Sequence, residues 1–229
     1  FILANDITIG DFNGDGIIDE DYRNDFESLG SNSPFNGHLN GNHKRINNLT
    51  APLFNINAGS ILNLQIDANY QLETDEEGSI LFGTVARENY STGYIIGVTV
   101  TGSINIFAPN ANVVAGTIVG KNYGLEVKAN TVNIEEFNVF AKQTIFGGIM
   151  GIATEKRVEL LLNSANRFIT VTYAVANGLY VSAGYLIGFL ESDLDTPPDI
   201  GPLSTGVIYK NGEALSNRIY RIGNYPSSE

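Results

Sequence analysis

The sequence predicts an all-β chain wound as a β-solenoid, and three observations carry that expectation. Gly and Asn tolerate left-handed backbone and tight turns, and they number 25 and 27 among 229 residues. Between them lie short apolar runs that alternate with period two, as at Ile104 and Ile106 or Val132 and Ile134. Finally, a five-residue box recurs: Gly, any residue, Ile or Leu, an aliphatic residue or Met, Gly. It reads GYIIG at Gly93 to Gly97, GTIVG at Gly116 to Gly120, GGIMG at Gly147 to Gly151 and GYLIG at Gly184 to Gly188. Looser copies are SILFG, Ser79 to Gly83, and APLFN, Ala51 to Asn55. The spacing of the boxes is near that of one solenoid turn, with insertions on some turns. In such a turn the aliphatic pair packs into the core, and the glycines allow sharp corners or close stacking of backbones.

Composition narrows the function. A formal charge of −12 repels phosphate backbones, so nucleic acid is not an expected partner. No run of 18 apolar residues is present for a membrane span, and the chain as given opens without a signal peptide. Zero Cys excludes disulfides, thiolate zinc sites and cysteine nucleophiles, and leaves packing, backbone hydrogen bonds or a hard metal to hold the fold.

Along the chain, the first chemical motif is Asp11-Phe-Asn13-Gly-Asp15-Gly-Ile17-Ile-Asp19. Side-chain oxygens stand at loop positions 1, 3, 5 and 9, Gly16 supplies the sharp turn, and the Ile17 carbonyl is the position-7 ligand of a calcium loop. Tyr22 replaces the acidic residue expected at position 12, while Glu20 and Asp21 stand just before it. The motif therefore resembles the calcium loops of FG-GAP repeats, or a dockerin-like loop with altered closure. Asp11, Asn13, Asp15, Ile17 and Asp19 are the expected ligands of a structural Ca²⁺. The next stretch, Asp19 to Leu29, spaces Tyr22, Phe26 and Leu29 for one or two helical turns.

Strands are expected over Ile61 to Ile66, Val98 to Phe107, Val113 to Val119, Leu125 to Phe140, Phe168 to Val175 and Leu179 to Leu190. Lys156 to Asn163 reads as either a short helix or a strand. After Glu191, SDLDTPPDIGP reads as a loop. Asn211-Gly212 then predicts a hairpin, as a terminal cap that shields the last edge. The expected organisation is an entry segment over 1–32, a solenoid over 33–191, and a linker with cap over 192–229.

The stretch SPFNGHLNGNHKRINNLTAPLFNINAGSILNL, Ser33 to Leu64, resembles the opening of bacterial GLUG-motif repeat proteins. Phe35, Gly37, Leu39, Gly41, Asn42, Ile46, Asn48 and Leu49 match the first half of that pattern. Leu53, Phe54, Gly59, Ile61, Asn63 and Leu64 match the second. The later boxes look like the family's Gly-Leu-x-Gly element, so the resemblance covers roughly 33–190. It implies a right-handed parallel β-helix within a large secreted or surface-anchored bacterial protein. The later turns depart from the pattern, lacking its Ile-x-Asn-Cys endings.

Other constellations are weaker. His38 and His43 are the only histidines, too few for zinc without Cys, and are expected at the surface. Three acidic clusters, Glu73/Asp75/Glu76/Glu77, Glu135/Glu136 and Glu191/Asp193/Asp195/Asp199, offer paired carboxylates of the kind that cleave glycosides. As runs in polar stretches they also read as solvated charge. Tyr70, Tyr90, Tyr94, Tyr123, Tyr173, Tyr180 and Tyr185 lie near turns, where aromatic rings beside Asn suit sugar or protein contact. Thr99/Thr101 and Thr170/Thr172 are Thr-x-Thr pairs of the type arrayed on ice-binding solenoids.

The expected function is that of a non-catalytic, calcium-stabilised module of a bacterial surface or secreted protein. It would act in adhesion or ligand presentation as a monomeric part of a larger chain, binding a host or cell-surface glycan or protein. The alternative is a polysaccharide-active β-helix enzyme, a lyase or glycoside hydrolase, using paired carboxylates.

Overall fold

Among the described strands every pairing is parallel except that of the last two, so the chain advances by stacking one turn on another. The structure is a computed structural model that describes residues 1–15, 17–19, 26–124, 126–154, 169–177, 180–184, 186–191, 204–210 and 213–214. For 169–177, 180, 190, 204–210 and 213–214 the description is of the backbone.

The chain enters through β1 (Ile7–Thr8) and makes a turn of β2 (His38–Asn40), β3 (Arg45–Leu49) and β4 (Phe54–Asn57). The next turn is β5 (Ser60–Leu62), β6 (Gln65–Glu73) continued by β7 (Gly78–Gly83), and β8 (Ala86–Asn89). Then follow β9 (Tyr94–Ile96), β10 (Thr99–Gly116) and β11 (Val119–Asn122), and after them β12 (Glu126–Lys128), β13 (Thr131–Gly147) and β14 (Met150–Thr154). The last elements are β15 (Ile169–Asn177), β16 (Tyr180–Gly184), β17 (Ile187–Glu191), β18 (Ser204–Lys210) and β19 (Glu213–Ala214). Strands β2, β5, β9 and β12 stack as sheet A, and β4, β8, β11, β14 and β17 as sheet C. Sheet B holds β1, β3, β6, β10, β13, β15 and β18, with β7 and β16 extending it along β10 and β13. The all-β solenoid expected from the repeats is thus the observed fold.

The core is built from columns of like residues. Ile46, Ile66, Val100 and Val132 lie in register on β3, β6, β10 and β13, and all are buried. Each such side chain removed from water contributes about 1.5–3 kcal/mol. Aromatic rings fill the wider interior of the longer turns. Tyr70 packs on Phe82 at 4.5 Å, Phe82 on Phe137 at 6.0 Å, and Phe137 on Phe146 at 4.8 Å.

The Gly boxes stack, but not as one set. Gly83, Gly116, Gly147 and Gly184 are in register at the corner between sheets B and C. A Cβ on Gly147 would meet Met150 O at 1.8 Å, and one on Gly151 would meet Gly120 O at 2.6 Å. The corner brings backbones too close for any side chain. GYIIG belongs instead to sheet A, where Tyr94 to Ile96 pair with Ser60 to Leu62 and with Glu126 to Lys128. Gly97 there takes φ of 67°, as Asn63 and Ala129 take 50° and 53° at the equivalent corner.

Gly93 answers to a buried amide ladder. Asn57 Nδ2 donates to Asn89 Oδ1 at 2.7 Å, and Asn89 Nδ2 donates to Asn122 Oδ1 at 2.8 Å. A Cβ on Gly93 would lie 2.1 Å from Asn89 Oδ1, and one on Gly124 1.8 Å from Asn89 Nδ2. Asn in the ladder and Gly beside it are one requirement expressed twice.

The N-terminal segment closes the first turn's open edges. Ile2 bridges Asn40 on sheet A, β1 pairs β3 on sheet B, and Leu29 and Phe35 bridge Phe54 and Asn57 on sheet C. This corrects the expected helix at Asp19 to Leu29 over its described part: Phe26 to Leu29 is not helical, and Leu29 is held extended by sheet C. Residues 20–25 and Lys156 to Asn163 lie outside the described residues, and no helix occurs among the described ones. None is therefore long and apolar enough to cross a membrane.

At the other end β18 pairs in parallel with β15, continuing sheet B, and β19 returns antiparallel with Lys210 opposite Glu213. Asn211 and Gly212, where the hairpin is expected, lie outside the described residues.

Candidate functional site

Two features of the described surface carry chemistry: the acidic loop near the N-terminus and the outer face of sheet B.

The loop is shaped by its own side chains. Asp11 Oδ1 accepts from Gly14 N at 2.7 Å, Asn13 Oδ1 from Asp15 N at 2.9 Å, and Asp15 Oδ1 from Ile17 N at 2.8 Å. Asp19 closes it, its Oδ2 accepting from Phe12 N at 3.0 Å and its own N–H donating to Gly10 O at 2.8 Å. The donors fit a hard, oxygen-loving cation such as Ca²⁺ in type. Among the described residues no group of three His, Asp or Glu is placed to hold a metal. Gly16, Glu20, Asp21 and Tyr22 lie outside the described residues. Ile18 beside the loop lines a polar depression on sheet B with Asn48, Asp67, Asn69 and Glu135. Asn48 Nδ2 ties this depression to Ile9 O at 2.9 Å.

The outer face of sheet B is set by alternation. On β6 the side chains of Ile66, Ala68, Tyr70 and Leu72 point inward, which leaves Asp67, Asn69, Gln71 and Glu73 outward. Register then places Gln71, Asn105 and Asn138 in one row across β6, β10 and β13, and Glu73, Phe107 and Phe140 in the next. Phe107 and Phe140 are 46% and 43% exposed, and their rings lie 5.2 Å apart with planes 11° from parallel. With Glu136 they line a groove of about 580 Å³. Asn138 Nδ2 donates to Asn105 Oδ1 at 2.8 Å and to Glu136 Oε1 at 2.6 Å.

Sequence position singles out tyrosines near turns rather than Phe107 and Phe140. Tyr70 is half-buried in the core wall, where burial pushes its phenol above the ordinary tyrosine value and the Arg87 charge partly offsets that. Tyr90 and Tyr123 meet edge to face at 6.5 Å. Partial burial lowers the pKa of Lys121, over the Tyr123 ring, but hydrogen bonds to Tyr123 and Glu191 and their charges outweigh it and hold the ammonium above the usual lysine range. The side chains of Tyr173 and Tyr180, and all of Tyr185, lie outside the described residues.

The acidic clusters separate. Glu73, Asp75, Glu76 and Glu77 are exposed where β6 passes to β7, and Glu135 and Glu136 are exposed on β13. Glu191 pairs with Lys121 at 2.9 Å, while Asp193, Asp195 and Asp199 lie outside the described residues. His38 and His43 are both exposed, and His38 Nδ1 hydrogen-bonds Ser60 Oγ. The threonines form no continuous row: Thr99 stacks with Gln65 and Thr131, and Thr101 with Asp67 and Asn133.

Comparison of this chain with protein-family models, curated proteins and solved structures finds no match.

Proposed function

We propose that this chain is a non-catalytic, calcium-stabilised solenoid module of a bacterial surface or secreted protein of the GLUG type. It binds a glycan or protein ligand through the outer face of sheet B. The observation that carries the reading is the groove in which exposed Phe107 and Phe140 stand beside a row of amides. Water-exposed, parallel aromatic rings on a rigid sheet are an arrangement suited to contact rather than to folding. Because neighbouring strands fix the spacing of every side chain on that face, the surface needs little reorganisation on binding.

The carboxylates support binding over cleavage. Glu73 on β6 and Glu136 on β13 share the groove, but β10 lies between them and carries no Asp or Glu. Glu136 also stands opposite Ser103, four residues before the Phe107 that faces Glu73, so their backbones are about 9.6 Å apart across the strands and about 13 Å apart along them, which does not set the two carboxyls as the facing pair of a glycoside hydrolase. Glu73→Gln and Glu136→Gln variants assayed for sugar release decide that second reading: a hydrolysis present in the parent and absent in both supports an enzyme.

Flow cytometry tests the binding reading. Fluorescently labelled chain should bind epithelial or bacterial cells, and the Phe107→Ala/Phe140→Ala variant should lose at least 90% of that signal (about one decade of affinity). No binding, or equal binding by the variant, overturns it.

The calcium part is tested separately. Asp11, Asn13, Asp15, Ile17 and Asp19 supply oxygen donors of the type Ca²⁺ takes, and a bound ion would offset the crowding of three carboxylates. Saturating calcium at 100 times its Kd would add about 2.7 kcal/mol, so EDTA should lower the melting temperature. An unchanged melt, with no calcium by metal analysis, removes the ion from this reading.

A further inference from the structure

Resting on the ligand-binding reading, we infer that the groove over β6, β10 and β13 is a subsite for a neutral oligosaccharide that crosses the strands along the solenoid axis. Three properties of the lining select this class. The two stacked Phe rings remain nearly half exposed, and that apolar aromatic surface matches the C–H face of a pyranose. Beside the rings, Gln71 and Glu73 have no side-chain hydrogen bond to other described residues, and Asn105 is engaged only through its Oδ1. Amides that both donate and accept are the natural partners of sugar hydroxyls, which do the same. Finally, among the described residues no Lys or Arg lines the groove while Glu73 and Glu136 do, so uronate or sulfated chains would be repelled.

A basic peptide is the rival occupant, and the lining favours it less. Glu73 and Glu136 lie in different rows, on β6 and β13 with β10 between them, so the groove presents two separated charges rather than an acidic cluster. Three uncharged amides, Gln71, Asn105 and Asn138, form the row along which a ligand would lie. That row repeats at the strand spacing of about 4.8 Å, close to the advance of one pyranose, so the three strands offer about three sugar positions.

Affinity electrophoresis in gels containing hydroxyethylcellulose, xylan, galactomannan, laminarin or glycol chitin tests the inference. At least one should retard the chain, equally in about 0.05 M and about 0.5 M NaCl, because a neutral ligand makes no screened charge pair. Phe107→Ala and Phe140→Ala should each weaken the retardation at least tenfold. Gln71→Ala/Glu73→Gln, which alters only exposed side chains, should weaken it severalfold with an unchanged melt, so the result does not depend on how the Phe variants fold. Absence of retardation in all five gels overturns the inference, as does retardation that survives these substitutions. Salt-sensitive binding of hexa-arginine, abolished by the same substitutions, also overturns it while leaving the groove a binding site. Periodate treatment of cells separates the two levels. If cell binding depends on Phe107 and Phe140 but survives periodate, the groove binds a ligand that is not a saccharide.

Discussion

The side-chain amide of Asn57 donates to Asn89 Oδ1 at 2.7 Å, and both residues are fully buried. Asn89 passes the pattern on to Asn122, so one side chain joins three turns. Asn89→Ala removes the buried amide bonds to both Asn57 and Asn122, leaving each with only its local backbone partner, Gly59 O at 3.3 Å and Gly124 N at 3.0 Å. We expect a loss of about 2–3 kcal/mol in urea denaturation. Asn138→Ala breaks a similar bond on the half-buried outer face and should cost less than about 1 kcal/mol. Equal losses at the two positions would contradict the role given to the ladder.

Two glycines separate close approach from backbone conformation. Gly147→Ala puts a methyl group 1.8 Å from Met150 O and 2.6 Å from Gly188 N, atoms of the backbone that cannot swing away. Gly14 has φ of 79° and nothing within 4 Å of an added Cβ. The first substitution should cost about 3 kcal/mol or more, and the second about 1 kcal/mol. A milder effect at Gly147 than at Gly14 would refute the corner geometry.

Ala129 stands at φ of 53° where the preceding turn uses Gly97. Ala pays a steric penalty there that Gly escapes. Ala129→Gly should therefore raise stability by about 1 kcal/mol despite the added freedom of the unfolded chain. A lower denaturation midpoint in the variant would show that the left-handed corner is not what limits this position.

Tyr70 couples stability to alkaline pH. Its phenol is raised above 10.0 by burial, so in the folded chain it keeps its proton where the unfolded chain has begun to lose it. The folded state then binds more protons than the unfolded state, and stability falls as pH rises. This contribution is complete below pH 10 and is lost above it. Tyr70→Phe should flatten the decline in melting temperature above pH 10, and an unchanged slope would assign the decline to other groups.

The solenoid itself was legible because its causes are local. Apolar alternation marked the strands, and Gly–aliphatic–aliphatic–Gly marked the corners. What spacing alone hid was that one pattern serves two causes. Gly83, Gly116 and Gly147 are small because two sheets converge, whereas Gly93 is small because Asn89 lies over it. The strands expected at Val98 to Phe107 and Val113 to Val119 are largely one element, β10, because register shifts near Gly102 and Pro109 absorb the irregular residues without ending the strand.

The exposed Phe pair was missed for a related reason. Counting by twos from Ile134 sends Phe140 inward. Ser103 pairs with Glu136 while Gly102 pairs with Ile134, so Glu135 is the extra residue of a bulge. The parity of β13 reverses there, which turns Phe137 into the core and Asn138 and Phe140 out. A tandem of two exposed acids inside an apolar run was the visible sign. The acidic loop was legible as a set of oxygen donors, but spacing cannot say how their carboxylates are aimed.

The stack from Ile46 through Ile66, Val100 and Val132 to Ile169 advances by 20, 34, 32 and 37 residues. Identical repeats can slide past one another by a whole unit and still bury the same side chains, which leaves several near-equal alignments competing during folding. Here a slipped turn would bring the five-residue β3 against the 18-residue β10, whose lengths do not match. Unequal turns thus act as addresses, and each length of chain has only one place in the stack where it closes.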